Sequence, residues 1–258
     1  GRTQWIADIN HTFGSVALKP WDGDYGVIGI SVQAVDYGEL HETIRSTNTQ
    51  GYIETGTFHP TGLAIGLGYA RAVNEQFSFG LQVKYVKQYL GNAIVSYTGG
   101  AASRKDNTSD VPAVDFGIFY HTPFQGLDFG MTVRNFSREA RFEDDDFQLP
   151  LTFKIGIAVH FMDILSMEDK DHAFALYVDA EHPRDFPEQV RFGGEYTLAE
   201  MFSFRAGLVR GVPEIEEGVS FGFGHQKQYD KLWFGLDYAY TPFGVFGGVH
   251  RFSFQFSL

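Results

Sequence analysis

The sequence predicts an all-β fold, a transmembrane antiparallel β-barrel with about thirteen strands in this chain of an expected fourteen. Hydrophobicity alternates with a period of two along almost the whole chain. Most alternating segments run 10–14 residues, longer than the ~5–6 of soluble strands and matched to the ~9–11 of a tilted membrane-crossing strand. Long polar connections also alternate with short ones, as in outer-membrane barrels, whose long loops face outward from the cell.

The segments fall near 4–18, 25–36, 61–72, 76–90, 112–121, 126–138, 148–161, 173–182, 188–197, 201–210, 217–226, 231–241 and 245–258. In Phe77–Tyr85 one face carries Phe77, Phe79, Leu81, Val83 and Tyr85, and the other Ser78, Gly80, Gln82 and Lys84. Leu127–Val133 and Leu149–Phe161 repeat the pattern. Met162–Glu168 could make one helical turn or two. The long connections, 37–60, 91–111 and 139–147, follow segments two, four and six. The last strand alternates Phe252, Phe254, Phe256 and Leu258 with Arg251, Ser253, Gln255 and Ser257. No shift in composition divides the chain, so residues 1–258 read as one domain. With a periplasmic C-terminus, thirteen strands would start the chain on the outer side. An even count with both ends periplasmic therefore calls for a first strand before Gly1.

Composition agrees with a barrel and excludes much else. The chain has 26 Phe, 13 Tyr and 30 Gly, and aromatics make up 16%. A net charge of −12 opposes binding to nucleic acid. The absence of cysteine rules out disulfides and thiolate sites, and the nine His show no helical metal spacing. No run approaches the ~18 apolar residues of a spanning helix. Alternation is symmetric under exchange of faces, so a soluble β-protein with its apolar faces inward is the inverse reading. Strand length, loop asymmetry and the terminal Phe-rich strand oppose it.

With the apolar face on lipid, Lys84, Asp115, Arg134, Lys154, Asp179, Arg191, Glu195, Arg205, Asp237 and Arg251 face the lumen. Their signs largely alternate from strand to strand, so Lys84 can pair with Asp115 and Asp115 with Arg134. Mutual pairing removes most of the cost of enclosing them. The ladder reads first as a stiffener of the wall, and second as a polar path or binding site. Phe119, Tyr177 and Trp233 are lumen-facing aromatics. In the outer loops, Tyr52, Ile53, Phe58, Ile94, Val95 and Tyr97 stand among polar residues and suit a peptide partner. Glu143–Asp146 reads as a solvated loop before a cation site, and neither a cofactor nor a catalytic constellation is indicated.

Several stretches resemble the PorV/PorQ family of outer-membrane proteins: Gly62–Arg71, Phe77–Tyr85, Gln4–Asn10, Asp115–Tyr120 and Val133–Phe136. That family is similar in fold to FadL-type fatty-acid transporters, fourteen-stranded barrels with an N-terminal hatch. The resemblance implies a bacterial outer-membrane location and a hatch segment upstream of Gln4. It also implies a non-enzymatic role in type IX secretion, with outer-membrane lipid and exported proteins or secretion-machinery subunits as partners. The alternative it implies is a FadL-like channel for hydrophobic small molecules.

Overall fold

A computed structural model describes residues 1–98, 101–142, 145–165, 171–211 and 218–258, with the backbone alone at 93, 95–98, 101–102, 140–142 and 145–146. Fourteen antiparallel strands close a barrel. They are β1 (Arg2–Gln4), β2 (Asn10–Leu18), β3 (Val27–Asp36), β6 (Thr61–Ala72), β7 (Phe77–Thr98), β8 (Ala101–His121) and β9 (Leu127–Ser137). Continuing round the wall come β12 (Thr152–His160), β13 (His172–Pro183), β14 (Gln189–Leu198), β15 (Phe202–Arg210), β16 (Ser220–Tyr229), β17 (Leu232–Pro242) and β18 (Gly248–Ser257). Two hairpins stand outside the wall: β4 (Leu40–Arg45) with β5 (Tyr52–Phe58), and β10 (Ala140–Phe142) with β11 (Asp145–Phe147). One helical turn, α1 (Phe161–Ile164), occupies the connection after β12.

The wall holds fourteen strands within the chain where the alternation counted about thirteen. Residues 4–18 read as one strand, but Ala7 and Asp8 take φ of 55° and 60° and reverse the chain between β1 and β2. Three-residue β1 then bridges β18 on one side and β2 on the other. It is the fourteenth strand that parity requires. Fourteen strands put the first and last residues at the same end of the barrel, the periplasmic end by the usual arrangement. The β4–β5 and β10–β11 hairpins lie at the opposite, extracellular end.

A second difference lies at 91–111. The sequence reads as a loop, yet β7 and β8 remain paired as far as Thr98 and Ala101. Pairing of β7 with β6 stops at Tyr89, and pairing of β8 with β9 stops at Ala113. Beyond those points the two strands form a free ribbon, about 30 Å long at ~3.3 Å per residue.

The faces settle the inversion. Among the described residues only Val111, Ala113, Ala175 and Val249 are buried hydrophobics. Leu67, Val83, Ile30 and Phe252 are each more than half exposed on the outer face, whereas the Lys84 side chain is 11% exposed on the inner one. A continuous apolar belt of this kind belongs against acyl chains rather than water.

Candidate functional site: the charged lumen and the extracellular ribbon

Three ionic clusters line the lumen. In the first, Lys84 Nζ lies 2.7 Å from both carboxylate oxygens of Asp115 and donates to Asn135 Oδ1 at 2.6 Å. Asp115 also accepts the Asn135 backbone N–H at 2.7 Å. The sequence builds this contact with a bulge. Asn135 takes φ 62°, a conformation Asn tolerates, and two residues of β9 then oppose Asp115. In the second, Glu181 accepts from Lys154 Nζ and Arg191 Nε, each at 3.0 Å, and Arg191 also donates to Gln189 Oε1 at 2.9 Å. In the third, Arg205 holds Glu195 on one side and Asp237 at 2.5 Å on the other. A side chain at Gly224 would stand 2.7 Å from Asp237 Oδ1 and 3.0 Å from Arg205 Nη1, so glycine on β16 is what lets this pair span the strand between them.

The remaining ladder residues sit apart. Arg251 donates to Thr241 Oγ1 at 2.8 Å and lies 5.7 Å from the Trp5 ring centroid. The Asp115–Arg134 pair read from the sequence does not form, because Lys84 and the bulge amide occupy the carboxylate. Arg134 is exposed to the lumen with no ion pair among the described residues, and Asp179 likewise has none. Glu181 was missed, although it falls two residues after Asp179 on the same face. Two cavities of about 940 and 760 Å3 occupy the lumen, and Arg134 borders both. Phe119 and Tyr177 border the larger. Trp233 borders a third, of about 150 Å3.

At the extracellular end the β4–β5 hairpin is fastened to the ribbon. Glu42 Oε1 accepts the Ile94 N–H at 3.0 Å, and Glu42 Oε2 accepts from Arg104 Nη2 at 3.0 Å. Burial pushes the Glu42 carboxyl up, but the Ile94 N–H, the Thr55 hydroxyl and Arg104 together hold it below its ordinary range. Arg104 Nη1 also donates to the Asn92 carbonyl at 2.9 Å. Gly91, at φ 106°, gives the Phe58 ring room, since a Cβ there would meet Phe58 Cδ2 at 2.5 Å. Tyr52 and Ile53 are exposed, whereas Phe58 is half-buried against the ribbon. Ile94 is a ribbon residue rather than a loop residue, and so are Val95 and Tyr97, whose side chains lie outside the described residues. Of the acidic run, Glu143 and Asp144 also lie outside them, and Asp145 and Asp146 belong to β11. No cluster of three His, Asp or Glu able to hold a metal occurs among the described residues.

No curated protein matches the chain. Among solved structures it is similar to the toluene transporter TodX of Pseudomonas putida, with a TM-score of 0.54, 9% identity, and 96% of this chain and 86% of that one covered. A TodX deltaS2S3 mutant, described as a monoaromatic hydrocarbon channel, gives 0.57 at 11% identity, over 96% and 82%. The toluene transporter TbuX of Ralstonia pickettii gives 0.52 at 10%, over 96% and 86%. At such identities the likeness establishes a FadL-like barrel fold. The family that matches is the type IX secretion system membrane protein PorP/SprF, over residues 51–257. The match does not confirm the PorV/PorQ name that the strand motifs suggested, but it supports the secretion system and the bacterial outer membrane. An outer-membrane barrel matched over that span belongs to the PorP/SprF family of type IX secretion membrane proteins.

Proposed function

We propose that the chain is a non-enzymatic docking barrel, which binds exported proteins or other secretion components through its extracellular ribbon and hairpins. The observation that carries this reading is the β7–β8 ribbon, which runs far past the wall and has the β4–β5 hairpin fastened beside it. A ribbon beyond the membrane serves no purpose in closing the barrel, and it offers strand edges and exposed Tyr52 and Ile53 to a partner. Capture of the C-terminal domain of a type IX exported protein by the purified barrel tests this. Deleting the ribbon beyond Tyr89 and Ala113 should abolish capture; retention of capture by that deletion would end the reading.

A second reading, a conduit for hydrophobic molecules, is favoured by the larger cavity, where Phe119 and Tyr177 stand among small residues such as Ala17 and Ala70. The toluene transporters of similar fold add a plausible probe. Vesicles carrying the barrel should then take up toluene faster than empty ones, and Phe119→Arg should cancel the difference. Equal uptake by loaded and empty vesicles would dismiss this reading.

A further inference from the structure

Beyond Tyr89, β7 has a strand neighbour on one side only. Its last partner in β6 is Thr61, whereas pairing with β8 runs on to Thr98. Among the described residues, no main-chain hydrogen bond joins 90–98 to any segment but β8. An edge of this kind presents unpaired N–H and C=O groups that template another strand.

Two of these groups can be identified. The Ile94 N–H points away from β8, since it donates to the Glu42 carboxylate. Asn92 lies two residues earlier in an uninterrupted stretch of register, so its carbonyl points to the same edge, and Arg104 donates to it. The Glu42–Arg104 ion pair thus takes one N–H and offers one donor, with Ala93 between the two contacts. One residue of an added parallel strand makes the same two bonds through its own C=O and N–H. The ion pair occupies the place of a strand residue.

Resting on the docking reading, we infer that the outer edge of β7 at Asn92–Ile94 is a strand-docking site, guarded by Glu42 and Arg104, for an extended segment of an exported polypeptide. The groups on offer select that occupant. A small anion could use the Ile94 amide but would leave the Asn92 carbonyl unpaired, and a cation would do the reverse. An extended main chain satisfies both, and continues along the free edge past Ile94. On the far side of the ribbon β8 lies beside the β10 hairpin, whereas the β7 edge is met by the β4–β5 hairpin through the side chains of Glu42 and Phe58.

Two substitutions with opposite expected signs test this in the full barrel, with the C-terminal domain of an exported type IX protein as probe. Glu42→Ala frees the Ile94 amide and removes the ion pair that anchors Arg104 over the Asn92 carbonyl, so binding should tighten about tenfold, because the open edge is populated more often. Ile94→Pro removes the amide and leaves the Glu42–Arg104 pair over the Asn92 carbonyl, and proline is tolerated on a strand edge; binding should weaken about tenfold relative to Glu42→Ala. Equal affinities for the two variants would overturn the inference. If Ile94→Pro loses the heat-modifiable migration of a folded barrel, amide exchange in Glu42→Ala decides: protection of Ile94 on adding the domain supports the site, and no protection refutes it. Loss of capture by the ribbon deletion, with the two variants alike, would leave docking standing without this edge. Retention of capture by the ribbon deletion would remove both.

Discussion

Lys84 and Arg205 both project into the lumen, nearly opposite each other around the wall, and both hold carboxylates from neighbouring strands. Their surroundings differ. The Lys84 and Asp115 side chains are 11% and 14% exposed, and the β9 bulge turns a backbone amide and the Asn135 side chain onto them. Arg205 and its two carboxylates are between 25% and 41% exposed and are held by side chains alone. The first cluster has exchanged water for fixed donors and acceptors, so each member depends on the others. The second keeps water as a substitute partner, which makes its members replaceable.

Asp115→Ala should therefore be the costliest single change in the lumen. It strands a buried ammonium and frees the Asn135 amide, for a loss of about 3 kcal/mol, read by urea unfolding in lipid vesicles. The bulge contributes separately. Asn135→Ala should cost about 2 kcal/mol, from a left-handed backbone without Asn or Gly together with lost hydrogen bonds. Asn135→Gly keeps the backbone comfortable and should cost about half as much. Equal losses for Ala and Gly would show that the side chain alone matters and that the bulge stores no preference.

How far each cluster could be read from the sequence follows the same division. Period two carries the fold, because lipid and lumen impose different chemistry on alternate residues; β6, read at 61–72, is Thr61–Ala72 in the structure. The signal fails where the two faces meet the same solvent. Residues 103–108, Ser-Arg-Lys-Asp-Asn-Thr, are polar on both sides because both sides meet water beyond the membrane, so the ribbon reads as a loop. The Lys84–Asp115 pair followed from strand adjacency, but the false Asp115–Arg134 pair assumed regular register, which the bulge at Asn135 breaks. The turn at Ala7 and Asp8 has neither Gly nor Pro to announce it, and β1 was absorbed into its neighbour.

The more exposed cluster should be far less sensitive. Asp237→Ala leaves Arg205 with Glu195 and with water, so the loss should stay below about 1 kcal/mol and shrink further with added salt. A loss matching that of Asp115→Ala would mean that burial is not what separates the two clusters.

The Glu42–Arg104 latch sharpens the comparison outside the membrane, with one side chain 11% exposed and the other 42%. Its smallest perturbation is a proton. Glu42 is held below the ordinary carboxylate range in the folded chain, so its contribution is fully present above the unfolded carboxylate pKa and is lost as pH falls through the lower, folded value. The effect should be local. The wall strands do not depend on Glu42, so acidification should raise amide exchange at Ile94 before any wall strand loses protection. Glu42→Gln, which keeps the shape but cannot titrate, should show raised exchange at Ile94 at every pH, with no acid-dependent step. An acid step that persists in Glu42→Gln would assign the opening to another group and leave Glu42 as a neutral spacer between hairpin and ribbon.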